Sequence, residues 1–201
     1  MTAPHIGVLG IQGAYAKHAE ALSRAGAQAS VIRYRGQLEQ IDGLVIPGGE
    51  STTMTKMMGF RIDYADIRDF AEEHPVFGTC AGLILLGRGS HDPRVRQFAF
   101  LDAEVSRNAY GSQKESFAEE LRLSFDPEKP FHAVFIRAPL IRSAGPSVRV
   151  LARYDNKPVL VESGPYLGAT FHPELTPDDR IHRYFMQKVK EFNNGKTQRT
   201  A

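Results

Sequence analysis

The segment VFGTCAGLILL, at residues 76–86, runs from a short apolar strand through a turn with glycine two positions on either side of Cys80, and then into an apolar helix. In this strand-turn-helix setting the form G-x-nucleophile-x-G is typical of a nucleophile elbow, because small flanking residues let the nucleophile stand above the sheet edge. The backbone amide of Ala81 would then point to where an oxyanion forms. The alternative is a structural cysteine buried beside packing glycines.

The chain around this segment alternates short apolar runs with helical stretches through its first half, which is the rhythm of βαβ units around a parallel sheet. Between 98 and 171 it is richer in short strands and turns, some of which we expect to pair antiparallel at the edge of the parallel sheet or folded over it. The predicted helices are 14–25, ended by Gly26, 63–73 and 83–86, and the predicted strands are 6–9, 29–34, 43–46, 76–77, 98–105, 121–125, 133–136, 148–152, 158–161 and 166–171.

The last helix is predicted to begin with Thr176 as its N-cap and Pro177 at its first helical position. Residues 193–201 are polar and are expected to fray. Because no repeat, linker or low-complexity segment interrupts the pattern, we expect residues 1–201 to form one domain. The predicted buried face of the last helix comprises Ile181, Tyr184, Phe185, Val189 and Phe192.

The composition is that of an ordinary soluble globular domain: 201 residues, 42% hydrophobic, with a net charge of +2 from 25 basic and 23 acidic side chains. The charges are scattered, so nothing indicates nucleic acid or an anionic membrane as a partner. One cysteine can form neither an internal disulfide nor the paired thiolates of a structural zinc site, and no secretory signal or membrane span is evident. We therefore expect a cytoplasmic protein without a metal.

A thiol nucleophile needs a base, and His172 is the histidine, of seven, that ends a predicted strand with a carboxylate two residues on, in FHPE at 171–174. In an extended segment residues i and i+2 point the same way, so Glu174 would orient the imidazole while His172 faces the thiol. The alternative is a purely structural role for this string. The other histidines are expected to be surface or core residues without a catalytic role.

A glycine turn, PGGEST at 47–52, follows the strand predicted at 43–46. Successive glycines let backbone amides turn toward an anion, either a phosphate or a developing oxyanion. The alternative is a plain turn that caps the next helix through Ser51. Neither a dinucleotide fingerprint nor a Walker loop nor an H-E-x-x-H metal motif is present in the sequence.

Taken together, these strings resemble the glutaminase subunits of pyridoxal 5′-phosphate synthase, within the class I, triad-type glutamine amidotransferases. The glycine turn with its STTM extension and the VFIRAP string favour this subfamily over the amidotransferases of histidine, anthranilate, GMP or CTP synthesis. Residues 87–97 match no signature of the family. The strings, which span nearly the whole chain in the family's order, are GVLGIQGAYAKH (7–18), PGGESTTM (47–54), FGTCAGLILL (77–86), RNAYGSQ (107–113), VFIRAP (134–139) and FHPEL (171–175).

The resemblance implies an α/β, flavodoxin-like three-layer fold with a mostly parallel central sheet and antiparallel edge strands. It also implies hydrolysis of L-glutamine to L-glutamate and ammonia, in which Cys80 attacks the side-chain amide and His172, oriented by Glu174, moves the protons through a γ-glutamyl thioester. The ammonia would pass to a separate (β/α)8-barrel synthase subunit in a hetero-oligomer. Pyridoxal phosphate would be a product of that complex, so no cofactor is implied for this chain.

By the same resemblance, the oxyanion donors map to the backbone amides of Gly49 and Ala81, and Gln12 lies near them. An arginine can hold a substrate α-carboxylate through paired hydrogen bonds, which suits Arg107 or Arg137, although a structural ion pair is the alternative for either one. The family's glutamine contacts map to Gly49, Glu50, Ser51, Arg107, Ile136 and Arg137.

Two other functions stay open from the sequence. One is a catalytically silent flavodoxin-like scaffold, and the other is an autonomous γ-glutamyl hydrolase that cleaves larger substrates without a partner. If the family resemblance holds, the isolated subunit is expected to be weakly active, and docking of the partner is expected to complete the oxyanion hole.

Overall fold

The structure, a computed structural model, describes residues 3–59, 61–107 and 116–199. Its helices are α1 (Tyr15–Ala25), α2 (Ser51–Met57), α3 (Tyr64–Glu73), α4 (Ala81–Leu86) and α5 (Arg180–Arg199), with 3-10 turns at Arg35–Gln40 and Pro173–Leu175. Its strands are β1 (His5–Leu9), β2 (Gln28–Ile32), β3 (Gly43–Ile46), β4 (Val76–Thr79), β5 (Ala103–Ser106), β6 (Ser116–Leu123), β7 (Asp126–Ile136), β8 (Leu140–Ala144), β9 (Arg149–Tyr154), β10 (Lys157–Ser163) and β11 (Tyr166–Ala169).

The main sheet has the strand order β2-β1-β3-β4-β11-β10-β9. Strands β2, β1, β3, β4 and β11 pair parallel with one another in that order, whereas β10 pairs antiparallel with both β11 and β9. Two small antiparallel pairs, β5 with β8 and β6 with β7, lie outside this sheet. The predicted α/β fold, with a mostly parallel central sheet and antiparallel edge strands, is confirmed.

Alternate residues of β3 face opposite sides of the sheet, as the pleat of a strand requires. Leu44 and Ile46 pack into one core with Ile67 of α3 and with α4. Val45 packs into a second core with Phe185 of α5 and with α1. The sheet is therefore the middle of three layers, and its strands are apolar on both faces because both faces are covered.

The strand predicted at 98–105 is wrong in its first half, since β5 begins only at Ala103. The preceding segment is tied to the end of α4 instead, where the backbone amide of Phe98 donates to the carbonyl of Leu85 at 2.7 Å. The Phe98 ring stacks on that of Tyr64, with centroids 4.3 Å apart. The apolar side chains of this segment therefore fill the first core without strand pairing.

The strands predicted at 121–125 and 133–136 are parts of one longer hairpin, β6 and β7, in which Leu123 pairs with Asp126 across the turn. Phe125 lies in that turn, and β6 begins upstream at Ser116, where exposed and half-buried positions alternate. Strand β8 was not predicted, because three of its five side chains are exposed and give no apolar run. Strand β11 ends at Ala169, two residues before the predicted end.

The start predicted for the last helix is wrong, since α5 begins at Arg180. The Thr176 hydroxyl instead accepts from the backbone amide of Asp178 at 3.3 Å, which makes a separate turn, and the Asp178 carboxylate accepts from the backbone amide of Arg180 at 3.1 Å. Residues 193–199 continue α5, and the Asn193 side chain donates to Asp42 at 3.1 Å; the fraying of this tail stays a prediction. Residues 200 and 201 lie outside the described part.

None of the helices in the described ranges combines the length and the apolar composition that a membrane crossing requires.

Gly78 and Gly82 let α4 pack closely against the ends of β3 and β4, where the elbow lies. A Cβ atom on Gly82 would lie 2.0 Å from the carbonyl oxygen of Ile46, and one on Gly78 would lie 2.6 Å from the backbone carbonyl of Gly82. Because both obstacles are backbone atoms in buried elements, they cannot move aside as a flexible side chain does.

We predict that Gly82→Ala lowers the free energy of unfolding by about 1–3 kcal/mol or more, because the added methyl group forces α4 away from β3. Gly195→Ala is the matched control: Gly195 is exposed in α5, a Cβ added there would have nothing within 4 Å, and alanine should stabilise the helix by about 0.5–1 kcal/mol. Urea unfolding midpoints of the two variants measure the difference. A Gly82→Ala protein as stable as the parent would contradict this account of the packing.

Candidate active site

Cys80 lies between β4 and α4 with a left-handed backbone, φ 47° and ψ −104°, which is rare for a residue with a side chain. Two hydrogen bonds hold this conformation. The Cys80 amide donates to the carbonyl of Ala169 at 2.8 Å, and the Cys80 carbonyl accepts from the amide of Ile84 at 3.2 Å. The predicted strand, tight turn and helix are all present, and such strain is typical of a nucleophile elbow.

His172 and Glu174 follow β11, the strand next to β4 in the sheet. The backbone amide of His172 donates to the carbonyl of Val134 at 2.8 Å, and its Nδ1 lies 2.8 Å from Oε1 of Glu174. The segment is not extended as predicted, because Pro173–Leu175 forms a 3-10 turn with proline at its start. The turn brings the two side chains into contact, and both residues are buried.

The thiol of Cys80 is close enough to the imidazole of His172 to raise the pKa of that ring. Sγ of Cys80 also lies 3.9 Å from the carbonyl oxygen of Ile136, at the end of β7. Gly48 backs onto this pair: a Cβ there would lie 2.4 Å from Cε1 of His172 and 3.3 Å from Cβ of Cys80. Only a glycine leaves the imidazole room at this position.

The charges of the buried pair follow from their contacts. Burial alone lowers the pKa of His172, but the hydrogen bonds to Cys80 and Glu174 and the negative charge of Glu174 outweigh burial and raise that pKa to about 10. Burial raises the pKa of Glu174, yet the imidazoles of His18 and His172 lower it to about 2. At neutral pH the pair is therefore an imidazolium held by a carboxylate.

The glycine turn is anchored by Gln12 and by its own acidic residue. Oε1 of Gln12 accepts from the amide of Glu50 at 2.9 Å and fills the space beside Gly49, where a Cβ would lie 2.4 Å away. Glu50 is the N-cap of α2, since its carboxylate accepts from the amide of Thr53 at 2.8 Å and from neighbouring hydroxyls. These bonds lower the pKa of Glu50 to about 2.

The predicted alternative, a cap through Ser51, is therefore wrong, because the longer Glu50 side chain reaches the free amides first. Ser51 is the first residue of α2 and is buried, and its Oγ has no hydrogen-bond partner within the described ranges.

Arg107 connects this turn to the stretch 87–97. One terminal nitrogen, Nη2, lies 3.0 Å from Oε1 of Glu50, and the other, Nη1, lies 2.7 Å from Oδ2 of Asp92. The structural ion pair that was the alternative for Arg107 is thus present. The rest of the RNAYGSQ string, 108–113, lies outside the described residues. Arg137 is exposed directly after β7, with φ 42°.

The structure thus brings Cys80, His172 and Glu174 together, with the carbonyl of Ile136 beside them and Ala81 next in the chain. The turn at 48–50 lies against the pair, Gln12 lies against the turn, and Arg107 reaches the turn through Glu50. In the described part of the chain, no group of three or more His, Cys, Asp or Glu side chains is arranged to hold a metal ion.

Sequence reasoning missed the residues behind the carboxylate. Nε2 of His18 lies 3.2 Å from Oε2 of Glu174, and Nδ1 of His18 lies 3.1 Å from Nε2 of His182. The available signal was the position of His18 on the buried face of α1, beside Ala21 and Leu22. It also missed Asp92, which no local pattern marks.

Comparison with known proteins gives a consistent result. The model of the SNO glutamine amidotransferase family matches residues 8–191. The pyridoxal 5′-phosphate synthase subunit PdxT of Solibacter usitatus is 49% identical over 189 residues, covering 92% of this chain and 98% of the relative. The subunit of the same name from Thermotoga petrophila is 46% identical over 186 residues, covering 92% and 99%.

Among solved structures, one described as the crystal structure of a glutamine amidotransferase superposes with a TM-score of 0.85 at 44% identity, covering 92% of this chain and 98% of that one. The predicted family resemblance is confirmed by sequence and by fold. The chain belongs to the SNO glutamine amidotransferase family.

Proposed function

We propose that this chain hydrolyses L-glutamine to L-glutamate and ammonia as the glutaminase subunit of a pyridoxal 5′-phosphate synthase. The observation that carries the proposal is Cys80 at a strained elbow, beside an imidazole whose Nδ1 lies 2.8 Å from a buried carboxylate. The two relatives named as PdxT subunits of that synthase support the assignment of the ammonia to pyridoxal 5′-phosphate synthesis.

In the proposed reaction, the imidazolium of His172 already holds the proton that the thiol gives up, and the sulfur of Cys80 attacks the carbon of the substrate carboxamide. The backbone amides of Gly49 and Ala81 donate to the oxyanion that forms. His172 then protonates the departing nitrogen, ammonia leaves, and a γ-glutamyl thioester remains. Neutral His172 next takes a proton from water, whose oxygen attacks the thioester, and glutamate is released with the resting pair of Cys80 and protonated His172 restored.

The charge of His172 suits the step in which ammonia leaves. A pKa near 10 means that the imidazole holds its proton at neutral pH and delivers it to the departing nitrogen. Glu174 stabilises that imidazolium and fixes the ring through Nδ1. The carboxylate stays ionised throughout.

We assign substrate recognition to the turn and to the arginines. The ionised Glu50 complements the α-ammonium of glutamine, and the guanidinium of Arg107 complements its α-carboxylate. Ser51, Ile136 and Arg137 complete the contacts. Gln12 acts indirectly, since it fixes the amide of Glu50 and the path of the turn.

We further propose a cytoplasmic location and a (β/α)8-barrel synthase subunit as the partner in a hetero-oligomer. Ammonia is a nucleophile only while unprotonated, so it must pass to the acceptor without release into water. Docking would complete the oxyanion hole, so that glutamine is not hydrolysed without an acceptor.

The first prediction that follows from this function concerns turnover. The purified chain should release glutamate from L-glutamine slowly alone and several-fold faster with the barrel subunit, while Cys80→Ala should lower the rate by at least about a thousandfold without loss of partner binding. Release measured with a coupled glutamate assay decides this. Equal turnover with and without the partner would favour an autonomous γ-glutamyl hydrolase, and no release in either case would favour a silent scaffold.

The second prediction concerns stability and pH. Because the pKa of Glu174 is lowered from 4.5 to about 2, its contribution is present above pH 4.5 and is lost as the pH falls toward 2. Because the pKa of His172 is raised from 6.5 to about 10, its contribution is present below pH 6.5 and is lost as the pH rises through 10.

Glu174→Gln removes the first contribution and the part of the second that Glu174 supplies. At pH 5–6 the variant should be less stable than the parent by about 3 kcal/mol in the free energy of unfolding, and the gap should narrow below pH 4.5. Urea unfolding between pH 3 and 8 measures it, with Glu39→Gln at an exposed position as the control. A gap that stays constant with pH would contradict the charge assignment.

The third prediction concerns substrate binding. Arg107→Gln should raise KM for glutamine by about tenfold or more with a smaller change in kcat, because a charge-assisted contact to the α-carboxylate is lost. Arg88→Gln is the control, since Arg88 is half exposed and pairs with Asp102. An unchanged KM in the Arg107 variant would show that its ion pairs with Glu50 and Asp92 are purely structural.

A further inference from the structure

Two histidines lie in the apolar core behind the candidate triad. His18 comes from α1 and His182 from α5, and both are fully buried. Each imidazole makes an edge contact with the ring of Phe77, and its centroid lies 6.2 Å from the centroid of that ring. Burying two imidazoles in such a core costs free energy that an aliphatic side chain would avoid, so packing alone does not account for them.

Their contacts point toward the site. Nε2 of His18 lies 3.2 Å from Oε2 of Glu174 and 3.0 Å from Oγ1 of Thr79, the residue that precedes Cys80. Oε1 of the same carboxylate lies 2.8 Å from Nδ1 of His172. One carboxylate therefore lies between two imidazoles, and its Oε2, which faces Nε2 of His18, has no hydrogen-bond partner within the described ranges.

The geometry fixes which nitrogens carry the protons. Burial lowers the pKa of His18, and burial together with the neighbouring His18 lowers the pKa of His182 to about 3, so both rings are neutral at neutral pH. A neutral imidazole has one N–H. Since Nε2 of His18 faces a carboxylate oxygen, the proton lies there, directed to Thr79 and beside Oε2 of Glu174. Nδ1 of His18 is then an acceptor.

The proton of His182 must accordingly lie on its Nε2, 3.1 Å from Nδ1 of His18. Its own Nδ1 is then a buried acceptor, and it has no partner in the described part of the chain. The opposite assignment would bury an unpaired N–H and turn a lone pair of His18 toward the carboxylate, which is the costlier arrangement.

We propose that His18 is a positioning residue of the glutaminase site: its Nε2–H, which is directed to Thr79, lies against Oε2 of Glu174 and stabilises its negative charge, while His182 fixes the tautomer of His18. The proposal rests on the proposed function. It adds His18 and His182 to the series of contacts that runs from Cys80 through His172 to Glu174. His18 thus links the strand end that delivers the nucleophile to the carboxylate that orients the base.

The charged and titratable groups that act on the pair are few. Glu174 and His172 face His18 from the segment after β11, and His182 faces it from α5. Arg24, on the same helix as His18, acts on His182. Without the N–H of His18, less opposes the effect of burial on the pKa of Glu174, and that pKa rises. The carboxylate is then protonated at higher pH and no longer stabilises the charge of His172.

Two amide variants provide the test. In His18→Gln the side-chain NH2 lies at the reach of Nε2 and can still donate to Glu174, whereas in His18→Asn it is too short to do so. Both variants place an uncharged amide at the same buried position, so they should lower the free energy of unfolding by similar amounts. Urea midpoints and binding to the barrel subunit verify that each variant is folded.

We expect His18→Asn to lower kcat by about tenfold or more, to leave KM for glutamine within about a factor of two, and to move the acid limb of the kcat profile to higher pH. His18→Gln should retain most of kcat and the parent's acid limb. If the two variants have the same kcat and the same acid limb, the proposal is overturned, however far that shared kcat lies below that of the parent.

A second readout does not depend on turnover. Cys80 is the single cysteine of the chain, so its alkylation by iodoacetamide can be followed against pH without interference. The acid limb of that profile should move to higher pH in His18→Asn and stay in place in His18→Gln; identical profiles would overturn the positioning role. If the parent chain released no glutamate with its partner, the proposed function would fail while this comparison would still decide the role of His18.

Discussion

The buried carboxylate of Glu174 is the constraint on which the candidate site depends. A carboxylate that is 3% exposed must be paired, and here an imidazole lies against each of its oxygens. One imidazole faces the nucleophile, and the other comes from the helix layer on the far side. The charges of the site therefore depend on two layers of the fold: the segment after β11, which carries His172 and Glu174, and α1, which carries His18.

The parallel pairing of β4 and β11 makes this arrangement possible. Thr79 is opposite Ala169 in the register, so Cys80 and His172 leave the same edge of the sheet on neighbouring strands. Candidate sites in such sheets gather at the carboxyl ends of the strands for this reason. Glycines then set the distances: Gly82 admits α4 against β3, and Gly48 admits the glycine turn against the His172 ring.

Local signals predicted much of the framework. Gly26 ends α1 in a left-handed conformation, as its position after the amphipathic pattern indicated, and β3 has the predicted bounds. Thr176 and Pro177 carry equally good capping signals, yet α5 begins later, because Arg180 is held by Asp178 and by Asp126 of β7. Such competition between local and distant contacts is not visible in a sequence window.

The same limit applies to the site. Cys80, His172 and Glu174 each belong to a short string whose residue types and spacing indicate chemistry. His18 carries no such signal, because its partner Glu174 is near the other end of the chain and the contact forms only when α1 packs on the sheet. The link from Arg107 to Asp92 also depends on tertiary structure, since 87–97 shows no pattern of its own.

The central claim is that the buried carboxylate of Glu174 keeps His172 protonated, while burial keeps His18 and His182 neutral. Nitrogen-15 NMR of the histidine rings tests it most directly, with His172→Asn, His18→Gln and His182→Gln used to assign the signals. The account predicts that His172 carries a proton on both ring nitrogens from neutral pH up to about 10, and that His18 and His182 each carry one proton, on Nε2. A His172 ring that is neutral at pH 7, or a charged His18, would contradict it.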